Sequence, residues 1–205
     1  EVIQLLLLQL LVNGSFQEKT GNQQVMQKGI ISYKLACLGW DISDHYGDGY
    51  DLLCINTSLK TPRIVKLELK GVDINFSQES PGFSQSLSPN EISTASHLIV
   101  SIFQGTDPLS HHIMTLNQLF ISKKKNTRST KFSMYDTFRQ YREDAIQYTQ
   151  IKVSTRKGQK NDKTEQRLNM DIGCTQNQFR NKKWFLQDFK NQWDNLMLIN
   201  EEEDI

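Results

Sequence analysis

GYDLLCINTSLKTPRIVKLELKG, residues 49–71, reads as a hairpin that carries charges where a buried sheet should carry none. Tyr50 to Asn56 has the apolar and β-branched content of a strand, and the polar Thr57 to Arg63, with Pro62 in it, supplies the turn. In the second strand, Ile64 to Lys70, side chains alternate: Val65, Leu67 and Leu69 share one face, while Lys66, Glu68 and Lys70 share the other. Gly71 is expected to end the run. Asp51, at the near end of the first strand, can be brought beside Glu68. Two carboxylates so placed suit a hard divalent cation that binds through oxygen and keeps several waters. The backbone carbonyl of Leu69, lying between the charged side chains, offers a further oxygen, and the adjacent Lys70 can orient or help deprotonate a water attacking phosphorus.

An acidic residue and a lysine two apart on the wet face of a hairpin are ordinary taken alone. What singles out this pair is the order around it: a helix ending in Leu38-Gly39-Trp40, then Gly49-Tyr50-Asp51-Leu52, then Glu68-Leu69-Lys70-Gly71, then Leu87-Ser88-Pro89-Asn90-Glu91. This series resembles the PD-(D/E)XK nuclease superfamily, which includes many restriction endonucleases and the archaeal Holliday-junction resolvases. It is also similar to the nuclease-like domain at the C-terminus of the plant NO VEIN protein and its microbial relatives. The resemblance covers roughly residues 25 to 121. It implies an α/β restriction-endonuclease-like fold, a mixed sheet flanked by helices, with Asp51, Glu68 and Lys70 as catalytic residues and Asp51, Glu68 and Leu69 around Mg²⁺, for which Mn²⁺ substitutes. Resolvase-like members place a further Glu in the first helix. Counting back from Gly39-Trp40, that place falls near Gln27 or Lys28, where no carboxylate stands.

The chain has 205 residues, 37% of them hydrophobic, and a mean hydropathy of −0.54, enough for one domain with an elaboration. We divide it into a nuclease-like core with an N-terminal helix, residues 1–121, and a basic α+β C-terminal extension, residues 122–205. The net charge of +1 conceals an uneven distribution. Between 122 and 167 stand 13 Lys or Arg against 5 Asp or Glu, so this stretch carries +8, while the rest, with 11 basic and 18 acidic residues, carries −7. A concentrated basic charge fits a phosphate backbone. Lys123, Lys124, Lys125, Arg128, Lys131, Arg139 and Arg142 are the candidate DNA contacts, although such runs commonly lie in solvated loops and Arg139 and Arg142 can equally bridge to Glu143 or Asp144. Three cysteines with no CxxC spacing suggest neither a disulfide framework nor a zinc site, and a reducing, cytoplasmic setting is the simpler reading. Val2 to Val12 is far shorter than the ~20 residues of a membrane span. Its apolar Leu5 to Leu11 is the candidate helix for a homodimer contact.

Further along, Val25 to Leu38 reads as a helix with Met26, Ile30, Tyr33 and Cys37 on one side. Trp40 to Ile42 reads as a short strand. Asp48, between two glycines, is the rival of Asp51 but fits turn chemistry better. Ser88-Pro89-Asn90-Glu91 is a helix start with an N-cap, a proline at the first turn and a capping box, which accounts for Glu91 structurally and leaves it outside the catalytic set. That helix is expected to run to about His97, followed by strands at Leu98 to Phe103 and Ile113 to Ile121. Tyr135 to Ile151 reads as a helix, Ile151 to Thr155 and Leu168 to Ile172 as strands around a polar hairpin, and Trp184 to Leu198 as a last helix. Glycine-rich phosphate loops, GxSxG elbows and HExxH helices are absent. The expectation is a Mg²⁺-dependent, restriction-type endonuclease acting on double-stranded DNA. Its rival is a nuclease-like module that binds nucleic acid or a protein without cutting.

Overall fold

A computed structural model of the chain describes residues 19–45, 47, 49–74, 83–105, 107–126, 130–155, 163–175, 177–178 and 181–198. The first helix, α1 (Lys19–Cys37), ends where Gly39 takes φ 82°, a left-handed conformation that glycine adopts without steric cost. Gly39 N–H then donates to the Ala36 carbonyl and Trp40 N–H to that of Leu35, the paired bonds of a Schellman stop. The buried side of α1 is Gln27, Ile31 and Leu35. The expected stripe is therefore one residue off, since Tyr33 is 59% exposed and Cys37 is exposed. A polar residue in the buried row hid the true face.

Strands β1 (Asp41–Asp44), β2 (Leu52–Asn56) and β3 (Arg63–Asp73) follow as an antiparallel meander with Asp41 opposite Ile55 and Leu52 opposite Leu67. The chain continues through β4 (Ser86–Leu87) and α2 (Pro89–Thr94) to β5 (His97–Gln104), which pairs parallel to β3 with Leu67 beside His97, and β6 (Asp107–Thr115) returns antiparallel. The order β1-β2-β3-β5-β6 makes a five-stranded mixed sheet flanked by helices, the α/β class expected. Gly71 does not end β3, which runs on to Asp73, and α2 stops at Thr94 rather than near His97.

The two faces of the sheet hold two cores. Val65, Leu67 and Leu69 pack with Leu52, Cys54, Ile99 and Ile113 under α1. Val72, Leu98, Val100 and Ile102 face Ile92 of α2 and the helices that follow, α3 (Leu116–Asn126), α4 (Thr130–Ser133), α5 (Phe138–Thr155) and α6 (Lys163–Leu168). Phe120, Phe132, Phe138 and Tyr141 form an aromatic cluster there, with ring centroids 5.5 Å apart for Phe120 and Tyr141. Each such pair contributes about 0.5–1.5 kcal/mol beyond area burial. Residues on both sides of position 121 thus share one core.

Several expected elements are corrected. The strand from Ile113 to Ile121 ends at Thr115, where Thr115 and Gln118 exchange side-chain and backbone hydrogen bonds of 3.0 and 2.9 Å and start α3. Ile151 to Thr155 is the end of α5, not a strand. Of Leu168 to Ile172, only β7 (Met170–Asp171) is strand, and it pairs with β4. Trp184 to Leu198 is not one helix but two 3-10 turns, Gln187–Phe189 and Trp193–Met197. They are held to the sheet by buried histidines: His112 Nδ1 lies 2.9 Å from the Leu186 carbonyl and His97 Nε2 lies 3.2 Å from that of Asn195. No helix among the described residues is long and apolar enough to cross a membrane. The candidate dimer helix, Leu5 to Leu11, and Asp48 lie outside the described residues.

Candidate functional site

Alternation along β3 puts Glu68 and Lys70 on the same face as Val72, the face over which α2 passes. Asp51 stands one residue before β2, whose first pair is Leu52 with Leu67, and its N–H donates to the Leu67 carbonyl at 2.9 Å, which sets it beside β3 with its charge acting on Glu68. Asp51 Oδ2 accepts the Leu69 N–H at 2.8 Å, which fixes its carboxylate against β3. The N–H and C=O of one strand residue point the same way, so the Leu69 carbonyl faces the edge that Asp51 guards. The three residues expected to act together are brought together.

A fourth joins them. Lys70 Nζ lies 2.9 Å from Glu68 Oε1 and 2.7 Å from Glu91 Oε1. Glu91 does close the capping box of α2, its Oε2 accepting the Ser88 N–H at 2.6 Å while Ser88 Oγ accepts the Glu91 N–H at 3.3 Å. A carboxylate has two oxygens, however, and here they divide the tasks. The capping-box pattern explained Glu91 so completely that nothing in the sequence marked the second role. Only the parallel crossover from β3 through α2 to β5 carries Glu91 back over Lys70.

Two carboxylates thus hold one ammonium, and a third, Asp51, acts on Glu68, in a site where Glu68 is only 5% exposed. Burial foremost, with Glu91 and Asp51 adding to it against the pull of Lys70, pushes the Glu68 carboxyl up to about 8. Burial acts to lower the Lys70 ammonium, but Glu68 and Glu91 outweigh it and hold Lys70 above its ordinary value. Burial would raise Glu91, yet Lys70 and the Ser88 N–H keep it below the usual carboxylate range. An excess of buried negative charge is what a cation relieves. Among the described residues no three His, Cys, Asp or Glu side chains form a closed metal cage. Mg²⁺ needs only one or two carboxylates because it keeps several waters, so Asp51, Glu68 and the Leu69 carbonyl fit it by donor type.

No carboxylate reaches the site from α1. Gln27 lies on the other face of the sheet, its Nε2 donating to Ser101 Oγ at 3.0 Å, and its buried Oε1 meets no donor. A Cβ on Gly71 would stand 2.8 Å from that oxygen, so a larger residue there would make the end of the Gln27 side chain shift. Lys28 pairs with Asp44 at 3.1 Å. Beside Glu91 opens a cleft of about 230 Å³ lined by Gly49, Ser88, Asn90, Glu91, Tyr148 and Glu165. His45 stacks on Tyr50 with ring centroids 4.0 Å apart, a packing contact at the entrance to β2.

The described residues among the basic ones expected at DNA differ in exposure. Lys123 is buried, its Nζ 4.7 Å from the centre of the Phe185 ring, and Lys124 donates to the Tyr135 carbonyl at 2.5 Å. Arg142 donates to the Ser93 carbonyl at 3.2 Å, tying α5 to α2. Arg139 is exposed and pairs with Glu143 at 3.1 Å, and Lys125 is exposed. Arg128 and the side chain of Lys131 lie outside the described residues.

No family model matches the chain, and no curated protein matches it. Among solved structures it is similar to a bacterial homing endonuclease, I-Ssp6803I, at 12% identity and a TM-score of 0.36, over 69% of this chain and 100% of that one.

Proposed function

We propose that the chain is a divalent-cation-dependent endonuclease that hydrolyses phosphodiester bonds of double-stranded DNA, of restriction type, leaving a 5′-phosphate and a 3′-hydroxyl. The observation that carries this reading is the convergence of Asp51, Glu68 and Lys70 on one face of the central strand β3, where β2 begins, with more negative than positive charge. Asp51 and Glu68, with the Leu69 carbonyl, would hold Mg²⁺, or Mn²⁺ in its place. When bound, the cation supplies charge neutralisation at the phosphoryl oxygens and lowers the pKa of a water.

The remaining work falls to the chain. Lys70, kept an ammonium by its two carboxylates, donates a hydrogen bond to a non-bridging phosphoryl oxygen and orients the attacking water in line with the leaving O3′. The water oxygen bonds to phosphorus, the P–O3′ bond breaks, and a proton ends on O3′. Charge accumulates on the phosphoryl oxygens along this path, and a fixed ammonium in a site shielded from bulk water stabilises it more than it would in solution. Asp51, held by the Leu69 N–H, keeps its orientation without reorganising. Lys125 and Arg139, the exposed cations of the expected set among the described residues, would meet the DNA backbone, and a homodimer would set two such sites on opposite strands.

The test is nicking of supercoiled plasmid with Mg²⁺ or Mn²⁺. Glu68→Ala and Lys70→Ala should each lower the rate by about 10² or more, the loss seen when one transition-state contact is deleted. Robust cleavage indifferent to both changes removes this mechanism. An intact plasmid with retained, salt-dependent DNA binding leaves the non-cutting module instead.

A further inference from the structure

Glu91 is tied at both ends, and its two ties serve different purposes. Its Oε2 is fixed by the backbone N–H of Ser88 at 2.6 Å, so the carboxylate is referenced to the start of α2 and not to a mobile side chain. Ile92, fully buried in the core, anchors the same helix. Its Oε1 then stands 2.7 Å from Lys70 Nζ, closer than the 2.9 Å to Glu68. Lysine has four rotatable side-chain bonds and a compact charge, so a single partner leaves its head free to swing. Two carboxylates on different elements, β3 and α2, define its position.

There is a second consequence. Were Glu68 the sole partner of the ammonium, it would have to neutralise Lys70 and face the reacting phosphate at once. Glu91 takes up part of the ammonium's charge and spares Glu68. We propose that Glu91 is a positioning residue for Lys70, acting from the capping turn of α2 to hold the ammonium at the site while Glu68 keeps an oxygen for the reaction. This rests on the endonuclease reading for its catalytic consequence, but not for the geometry of Lys70.

Glu91→Gln is the informative change. Glutamine serves at the third position of a capping box as glutamate does, so the helix keeps its cap, while the charge facing Lys70 is lost. Ile92→Val trims the same helix's core anchor without touching Lys70 and stands as the control for instability. Two readouts are taken on the full chain: plasmid nicking resolved into kcat and KM, and acetylation of Lys70 by acetic anhydride, followed by peptide mass spectrometry. Glu91→Gln should lower kcat about tenfold or more with KM nearly unchanged, and should raise Lys70 acetylation severalfold, while Ile92→Val, at a similar melting temperature, does neither. Equal losses in the two variants, tracking melting temperature, reduce Glu91 to a helix cap and overturn the proposal. So does unchanged Lys70 acetylation in Glu91→Gln. If the wild-type chain cuts no DNA, the endonuclease reading fails by itself, and the acetylation comparison alone then decides whether Glu91 positions Lys70.

Discussion

Replacing Glu68 by Gln should make the protein more stable at pH 8 and leave it unchanged near pH 5. The carboxyl sits at about 8 in the fold against an ordinary value of 4.5, chiefly because burial penalises its charge. Stability associated with the protonated carboxyl is fully present below about 4.5 and is lost as pH rises through about 8. At about 1.4 kcal/mol per unit, the ionised Glu68 costs up to about 4–5 kcal/mol at the top of that window. Its partners do not share the window. Lys70 is held above 10.5, so its contribution is lost only at higher pH, and Glu91 is held below 4.5, so its contribution is lost only on acidification. Glutamine is nearly the shape of a protonated glutamate and cannot ionise. Allowing for coupling within the trio, Glu68→Gln should gain at least about 2 kcal/mol on wild type between pH 5 and pH 8. In a chain of this size that corresponds to about 4–8 °C in melting temperature. Thermal melts followed by circular dichroism over that range measure it. Other groups titrating in the window act equally on both proteins and cancel in the difference. A difference in melting temperature that stays flat from pH 5 to 8 would refute the claim that the site stores buried negative charge.

Two further outcomes follow from contacts away from the site. His97 and His112 are held neutral, chiefly by burial, at about 4 against an ordinary 6.5. Their stabilisation is present above about 6.5 and is lost as pH falls toward 4, up to about 3 kcal/mol each. His112→Asn should flatten this acid limb in urea titrations, and an unaltered limb would show that other groups cause it. Gly71→Ala sets a Cβ 2.8 Å from Gln27 Oε1, so the end of that side chain must shift, and the change should destabilise by about 1 kcal/mol, the low end of the range for overpacking. In a Gln27→Ala background the same change should cost distinctly less, so an equal cost in both backgrounds locates the strain elsewhere.

What the sequence discloses here follows the range over which each signal acts. The alternation of Ile64 to Lys70 is local, and so are the Ser88 cap and the Gly39 stop, and all three stand where expected. The meander and the approach of Asp51 to Glu68 are also legible, because a short turn leaves antiparallel strands few registers. Glu91 was not legible, since its approach to Lys70 depends on a parallel pairing between β3 and β5 that nothing local specifies. The face of α1 was misread for a related reason: the buried row contains Gln27, whose partner Ser101 lies 74 residues away. Errors after Thr115 have a different origin. The apolar run Ile113 to Ile121 crosses from strand to helix without a glycine or proline, and only the Thr115-x-x-Gln118 cap marks the change. The basic stretch shows the limit of composition. Lys123 and Lys124 count toward a local charge of +8, yet the head of the first is buried over an aromatic ring and that of the second is tied to backbone carbonyls.

Charge balance, more than the identity of any one residue, decides how such a site can meet DNA. Asp51, Glu68 and Glu91 against Lys70 leave a net negative edge when all are ionised, and a phosphodiester is negative too. In a weakly screened, partly buried setting that repulsion is not small. Basic residues elsewhere can gather DNA but cannot seat a phosphate against three carboxylates. On the endonuclease reading a divalent cation is then needed to bring the backbone in as well as to activate water, and the unfavourable ionisation of Glu68 is the counterpart of that need. On the same reading, stability is given up at the place that would receive the cation's charge, a common relation between strain and function.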